Sequence, residues 1–123
     1  MIILDYRDKR PIYEQVTEKL QNLIIRGALE AESKLPSVRS LALELTVNPN
    51  TIQRAYTELE EMGYIYTVKG RGNYVSKETE WREKREKIID EETKTLAKHA
   101  MEAGISKEHL IDRLTSYYEE EKR

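Results

Sequence analysis

The chain has 123 residues, of which 38% are hydrophobic and 36% are charged, as is typical of a small helical protein with a modest core. It contains no cysteine, which excludes disulfides, Cys-based zinc sites, iron–sulfur clusters and thiol catalysis. The net charge of −2 does not exclude a nucleic-acid partner, because binding depends on a local basic patch and the opposite charges balance up to Ser76.

Three helices are predicted in the first half of the chain. The first, PIYEQVTEKLQNLIIRGAL, has Pro11 at its first helical position and Gly27 as its stop. The second, SVRSLALEL, has Ser37 as N-cap, and only about three residues, TVN, separate it from the third, PNTIQRAYTELEEM. Each has apolar residues at helical spacing. The predicted apolar face of the third helix consists of Ile52, Ala55, Tyr56 and Leu59.

After Gly63 the pattern becomes that of a β-hairpin. YIYTV and NYVS are short runs of β-forming residues, and KGRG between them supplies a glycine-rich turn. Two helices joined by a short turn, following a supporting helix, predict a helix-turn-helix, and the hairpin makes it winged.

Two charged helices follow, the first from Thr79 to a stop at Gly104 and the second capped by Ser106. Their apolar seams are narrow, so we expect them to pack on each other and on a second copy of the chain. The first seam contains Trp81, Ile88, Ile89, Leu96, Ala100 and Ala103, and the second contains Leu110, Ile111, Leu114, Tyr117 and Tyr118. The predicted fold is therefore mainly α with a small β-hairpin: an N-terminal winged helix-turn-helix, residues 1–76, followed by a two-helix C-terminal dimerisation region, residues 77–123.

Ten residues are candidates for DNA binding. With its apolar side in the core, the third helix turns short polar side chains and amides outward, which suits close entry into a major groove. Arg39 in the first turn of the second helix and the cationic hairpin tip could reach the groove or its phosphates. The candidates are Arg39, Asn48, Pro49, Asn50, Thr51, Gln53, Arg54, Lys69, Gly70 and Arg71. Structural alternatives are a good helix start at NPN, a surface Arg39 near Glu44, and an ordinary glycine turn with solubilising charges.

The stretch from Pro11 to Val75 resembles the DNA-binding domain of GntR-family bacterial transcription regulators. The matching motifs are PIYEQV, KLPSVRSLA, VNPNTIQRAYTELEEMGYI and KGRGNYV. The short C-terminal part is similar to the YtrA-type branch of that family. Many members have Gly where this chain has Thr46, and some branches have Arg where it has Gln53, so the turn and the base preference are expected to differ.

The resemblance implies DNA contacts at Arg39, at the start of the third helix, and at the wing tip. It also implies a homodimeric repressor, located in the cytoplasm, that binds a roughly palindromic operator and controls its own operon, often one encoding an ABC transporter. No cofactor is implied, and no effector is identified, because the C-terminal part is small for a ligand pocket.

Other functions fit the sequence less well. There is no phosphate-binding loop after a strand, and the two histidines, His99 and His109, lie in the charged C-terminal helices, so an enzyme is not expected. His109 and Asp112 are one helical turn apart, but such pairs are usually solvated, and no metal site is predicted. No segment approaches the roughly 20 apolar residues of a membrane span. A winged helix that binds a protein partner instead of DNA remains an alternative.

Overall fold

The computed structural model describes residues 2–122. Within them the chain forms five helices and a two-stranded antiparallel sheet, which confirms the predicted fold class. The elements are α1 (Ile12–Ile25), α2 (Val38–Leu45), α3 (Pro49–Glu61), β1 (Ile65–Val68), β2 (Gly72–Val75), α4 (Glu78–Glu102) and α5 (Lys107–Glu121).

The described residues divide into two compact units, the first ending at Glu86 and the second beginning at Lys87. The core of the first unit joins the inward faces of α1, α2 and α3 to the base of the hairpin. Its fully buried members are Val16, Leu20, Leu41, Ile52, Ala55, Leu59 and Val75, with Tyr56 and Ile65 nearly so. The predicted apolar face of α3 is thus confirmed in full, and burying such side chains is what fixes the three helices together.

The helix starts are built by local hydrogen bonds. Ser37 Oγ accepts from the Ser40 N–H at 3.0 Å, and Asn48 Oδ1 accepts from the Asn50 N–H at 2.8 Å. These bonds satisfy backbone donors that a helix leaves unpaired in its first turn. Pro11 occupies the N-cap of α1, one residue before the first helical position that we predicted for it.

Three residues, Thr46 to Asn48, connect α2 to α3 as predicted. Thr46 is in the left-handed region, with φ 57° and ψ 48°. This is the position at which many relatives are expected to carry Gly, which adopts that conformation without steric cost. Thr46, where this chain departs from the family's Gly, therefore has a strained backbone conformation.

The hairpin, or wing, has its tip at Lys69, Gly70 and Arg71, because Val68 pairs with Gly72 across the strands. A third segment, residues 33–35, which the sequence did not predict, pairs with the outer edge of β2. The Leu35 N–H donates to Asn73 O at 2.8 Å, and the Val75 N–H donates to Ser33 O at 2.9 Å. An isolated two-stranded hairpin is marginally stable, so this extra segment anchors the base of the wing.

The first turns of α4 belong to the first unit. Trp81 is buried with the core, its ring centroid 5.2 Å from that of Tyr64, and Lys84 Nζ donates to Glu60 O at 3.1 Å. We predicted Trp81 in a C-terminal seam, and that assignment is wrong. The residue has the spacing of the seam, but its side chain packs against Tyr64 in the core of the first unit.

The second unit comprises the rest of α4 together with α5. Ala100 is buried, whereas no residue of α5 is. Several large apolar side chains of α5 remain about half exposed or more: Ile111 (53%), Leu114 (48%), Tyr117 (53%) and Tyr118 (68%). Across residues 2–122, no helix has both the length and the apolar character that crossing a membrane requires.

Candidate nucleic-acid interface

The start of α3 presents the predicted polar side chains to solvent. Asn48, Pro49, Asn50, Gln53 and Arg54 are exposed, and Thr51 is partly buried. The side-chain amide of Gln53 donates to Thr57 Oγ1 at 3.3 Å, so it lies along the helix axis. The exposed face therefore offers amide groups and a cation that can donate to phosphates or base edges.

A buried tyrosine holds α3 against the segment that precedes α2. The Tyr56 hydroxyl donates to Pro36 O at 2.7 Å. Burial, with a smaller contribution from the Glu44 carboxylate, raises the pKa of Tyr56 to about 12. The phenol is protonated at neutral pH and donates this bond, which ties α3 to the segment that precedes Arg39.

Arg39 lies beside the start of α3. It is exposed, and it lines an open depression of about 600 Å³ together with Ala42, Leu43, Thr46, Val47 and Pro49. The alternative of a surface Arg39 near Glu44 stays open as to position, but within the described chain Arg39 forms no ion pair. Its guanidinium is therefore available to an external acceptor.

Arg54 occupies a different environment, which the sequence did not indicate. Its guanidinium carbon lies 3.7 Å from the centroid of the Tyr13 ring on α1, a cation–π stack. The start of α1 is thus part of the surface around α3. This contact joins residues that are far apart in the sequence, so no local pattern could have predicted it.

The wing tip is exposed at all three of its predicted residues. Gly70 has φ +79°, and no atom lies within 4 Å of the place where its Cβ would be, so the turn is open to solvent. Thr67 Oγ1 donates to Glu60 Oε2 at 2.6 Å, which ties β1 to the C-terminal half of α3. Among residues 2–122, no hydrogen bond or ion pair links the tip to Arg39 or to the start of α3.

Lys34 is a cation near the wing that the candidate set omitted. Its Cε lies 2.9 Å from the point where a Cβ of Gly72 would stand, so the absence of a side chain at Gly72 leaves room for it. The sequence carries a signal for this residue, because Lys34 begins the motif KLPSVR, which also contains Arg39.

Four exposed cations of the first unit have no carboxylate partner in the part of the chain that the structure describes. Within the described residues, Lys34, Arg39, Lys69 and Arg71 take part in no ion pair. Arg10 shows the contrast: it binds Asp8 at 2.8 Å and also Glu18, and its hydrogen bond lowers the pKa of Asp8. Unpaired cations of this kind suit binding of a polyanion.

Among residues 2–122, no three His, Asp or Glu side chains lie close enough together to hold a metal ion.

Comparison with known proteins agrees with this description. The profile of the family described as "Bacterial regulatory proteins, gntR family" matches residues 12–75. The chain is 42% identical over 112 residues to the HTH-type transcriptional repressor YtrA of Bacillus subtilis, which covers 89% of this chain and 86% of the relative.

Solved structures give the same result. A GntR family transcriptional regulator from Listeria monocytogenes has a TM-score of 0.59 and 39% identity, covering 92% of this chain and 98% of that one. The DNA-binding domain of AraR in complex with operator ORE1 has a TM-score of 0.53 and 30% identity, covering 60% of this chain and 90% of that one. These similar proteins are regulators of transcription and not enzymes.

Proposed function

Since the chain belongs to the GntR family of bacterial regulatory proteins, we propose that it represses transcription by binding operator DNA as a homodimer in the cytoplasm. The observation that supports DNA binding most directly is the exposed polar start of α3, beside which Arg39 makes no ion pair within residues 2–122. In this proposal α3 enters the major groove, and its exposed amides at Asn50 and Gln53 meet base edges. Arg39, Lys69 and Arg71 contact the flanking backbone or an adjacent groove, with Gly70 permitting close approach.

The proposed dimer is formed by the second unit, residues 87–122. Its apolar side chains on α5, among them Ile111 and Leu114, are about half exposed, and a second copy would bury them. A two-fold axis presents two copies of α3, and the corresponding operator is roughly palindromic. All residues proposed to contact DNA lie before Ser76, and the first turns of α4 after it complete the fold of the first unit.

The proposed target is the operon that encodes the protein itself. Support comes from the similarity to the B. subtilis protein named as the repressor YtrA, which extends through the C-terminal part as well as the DNA-binding domain. The genes of an ABC transporter are the expected neighbours by resemblance to that branch of the family. No effector is assigned.

Binding to the upstream region of the gene tests this function. Fluorescence anisotropy over a salt series should show affinity falling steeply and linearly on a log–log plot, because phosphate contacts release counterions. Arg39→Ala should weaken binding by about 1–3 kcal/mol, whereas Arg26→Ala should not, because Arg26 lies at the far end of α1.

The alternative, a winged helix that binds a protein partner, makes the opposite prediction. A flat salt response, or equal binding by wild type and the Arg39→Ala protein, would favour it. Footprinting of the upstream region supplies a second readout, in which protection should cover two half-sites related by an inverted repeat.

A further inference from the structure

The stack between Arg54 and Tyr13 leaves the donors of the guanidinium free. The ring of Tyr13 covers one face of the planar group, with 3.7 Å between the guanidinium carbon and the ring centroid. The N–H groups of arginine point outward in the plane of the group, so stacking on its face does not occupy them. Arg54 makes no ion pair within residues 2–122, and its side chain is exposed.

The position of Arg54 and Tyr13 favours a contact between the Arg54 guanidinium and the DNA backbone over a contact with the bases. Arg54 leans from α3 toward α1, and the two helix starts enclose an open cleft of about 380 Å³. The cleft is lined by Pro11, Ile12, Tyr13, Asn50, Thr51 and Arg54. When a recognition helix lies in the major groove, base edges face its outer side and the phosphates run along its flanks. A side chain drawn to the flank is directed to the phosphates.

We propose that Tyr13 is a positioning residue, which holds the Arg54 guanidinium against α1 so that its edge binds one phosphate of the DNA backbone. This inference rests on the proposed DNA-binding function and narrows it. Arg54 then contributes affinity at any sequence, and discrimination between bases is left to residues such as Asn50 and Gln53. An ordered guanidinium loses less conformational freedom when it binds, which is the advantage that the stack provides.

The tyrosine ring, and not its hydroxyl, carries this role. The Tyr13 hydroxyl donates to Glu14 Oε1 at 3.4 Å, away from the stack. Tyr13→Phe should therefore bind operator like the wild type, whereas Tyr13→Leu, which removes the aromatic face, should weaken binding about threefold, as expected for an exposed cation–π contact.

A double-mutant cycle on full-length protein tests the proposal. Operator affinity is measured over a salt series for wild type, Tyr13→Leu, Arg54→Ala and the double variant, with thermal unfolding recorded for each. Arg54→Ala should weaken binding about tenfold on the operator and on unrelated DNA alike, and should lower the salt slope by about 0.9, the value for one phosphate. Tyr13→Leu should have no further effect once Arg54 is absent.

Each result bears on the proposal. A threefold loss for Tyr13→Leu only in the presence of Arg54 supports it, as does normal binding by Tyr13→Phe. An equal loss with or without Arg54 would mean that Tyr13 acts on the fold instead, and an unchanged salt slope for Arg54→Ala would overturn the phosphate contact. Wild-type protein without salt-dependent binding would contradict the proposed function itself, which is a separate outcome.

Discussion

At the scale of single residues, Thr46 stands out because a β-branched side chain occupies a left-handed backbone conformation. Its side chain is exposed, so the conformation is imposed by the tight turn before α3. Asparagine tolerates this region far better, and unlike glycine it adds little entropy to the unfolded chain. Thr46→Asn should therefore stabilise the protein by about 0.5–1 kcal/mol in urea unfolding.

Thr79→Asn is the matched control, because Thr79 is exposed and helical, and little change in stability is expected there. A loss of stability in Thr46→Asn would mean that the threonine side chain contributes more to this turn than its backbone strain costs.

The burial of the Tyr56 hydroxyl makes the stability of the fold depend on pH. The pKa of Tyr56 is raised to about 12 in the folded state from an ordinary value near 10. Because the folded pKa is the higher one, the stability contributed by Tyr56 is complete below pH 10 and is lost as pH rises from about 10 to 12. Tyr56→Phe should cost about 1 kcal/mol at pH 8, and the difference from wild type should shrink over that interval.

Unfolding free energies measured at several pH values check this expectation. Tyr6→Phe serves as the control, since Tyr6 is exposed and should show no such difference. A gap between wild type and Tyr56→Phe that stays constant to pH 12 would show that ionisation of Tyr56 is not coupled to folding.

At the scale of elements, the wing tip offers a matched pair of glycines. Gly70 has φ +79° and Gly27 has φ +77°, and each has open space around the position of a Cβ. Valine at either site should lose similar stability, about 1–3 kcal/mol, because the backbone strain is the same. Only Gly70→Val should also reduce operator affinity when both proteins are folded, as checked by circular dichroism and anisotropy.

Equal DNA binding by the Gly70→Val and Gly27→Val proteins would remove the wing tip from the proposed interface. Gly70→Asn is a useful third variant, because asparagine accepts the left-handed conformation and should retain the turn.

Most elements could be predicted because their signals are local. Ser37 and Asn48 as helix caps, the apolar face ending at Leu59, and the glycine turn of the wing depend on residues close in sequence. What could not be predicted depends on tertiary contacts: the pairing of residues 33–35 with β2, and the stack of Arg54 on Tyr13. The prediction for Trp81 is wrong for the same reason. Periodicity shows which side of a helix is apolar, but not which part of the protein that side packs against.

At the scale of the whole molecule, the net charge of −2 does not reveal that exposed cations at Arg39 and the wing tip form no ion pair within residues 2–122. The proposed dimer carries two DNA-binding domains. When one of them binds its half-site, the effective concentration of the other near the second half-site rises. Dimerisation should therefore control operator affinity without any contact to DNA.

Leu114→Glu tests this coupling. A charge placed among the apolar side chains of α5 should yield monomers in sedimentation experiments, and operator affinity should fall by roughly 100-fold, the lower range of bivalent enhancement. Ser116→Glu adds the same charge to α5 two residues away and should remain dimeric. If the Leu114→Glu protein stayed dimeric, the dimer interface would have to lie elsewhere.

The packing of Trp81 and Lys84 limits how the protein can be dissected. A fragment cut at Ser76 would retain every residue proposed to touch DNA. It would nevertheless uncover the ring of Tyr64 and remove the ammonium that binds Glu60 O near the end of α3. A fragment intended to fold alone therefore has to extend to about Glu86. The first turns of α4 are thus part of the DNA-binding domain's fold, although no residue in them is proposed to contact DNA.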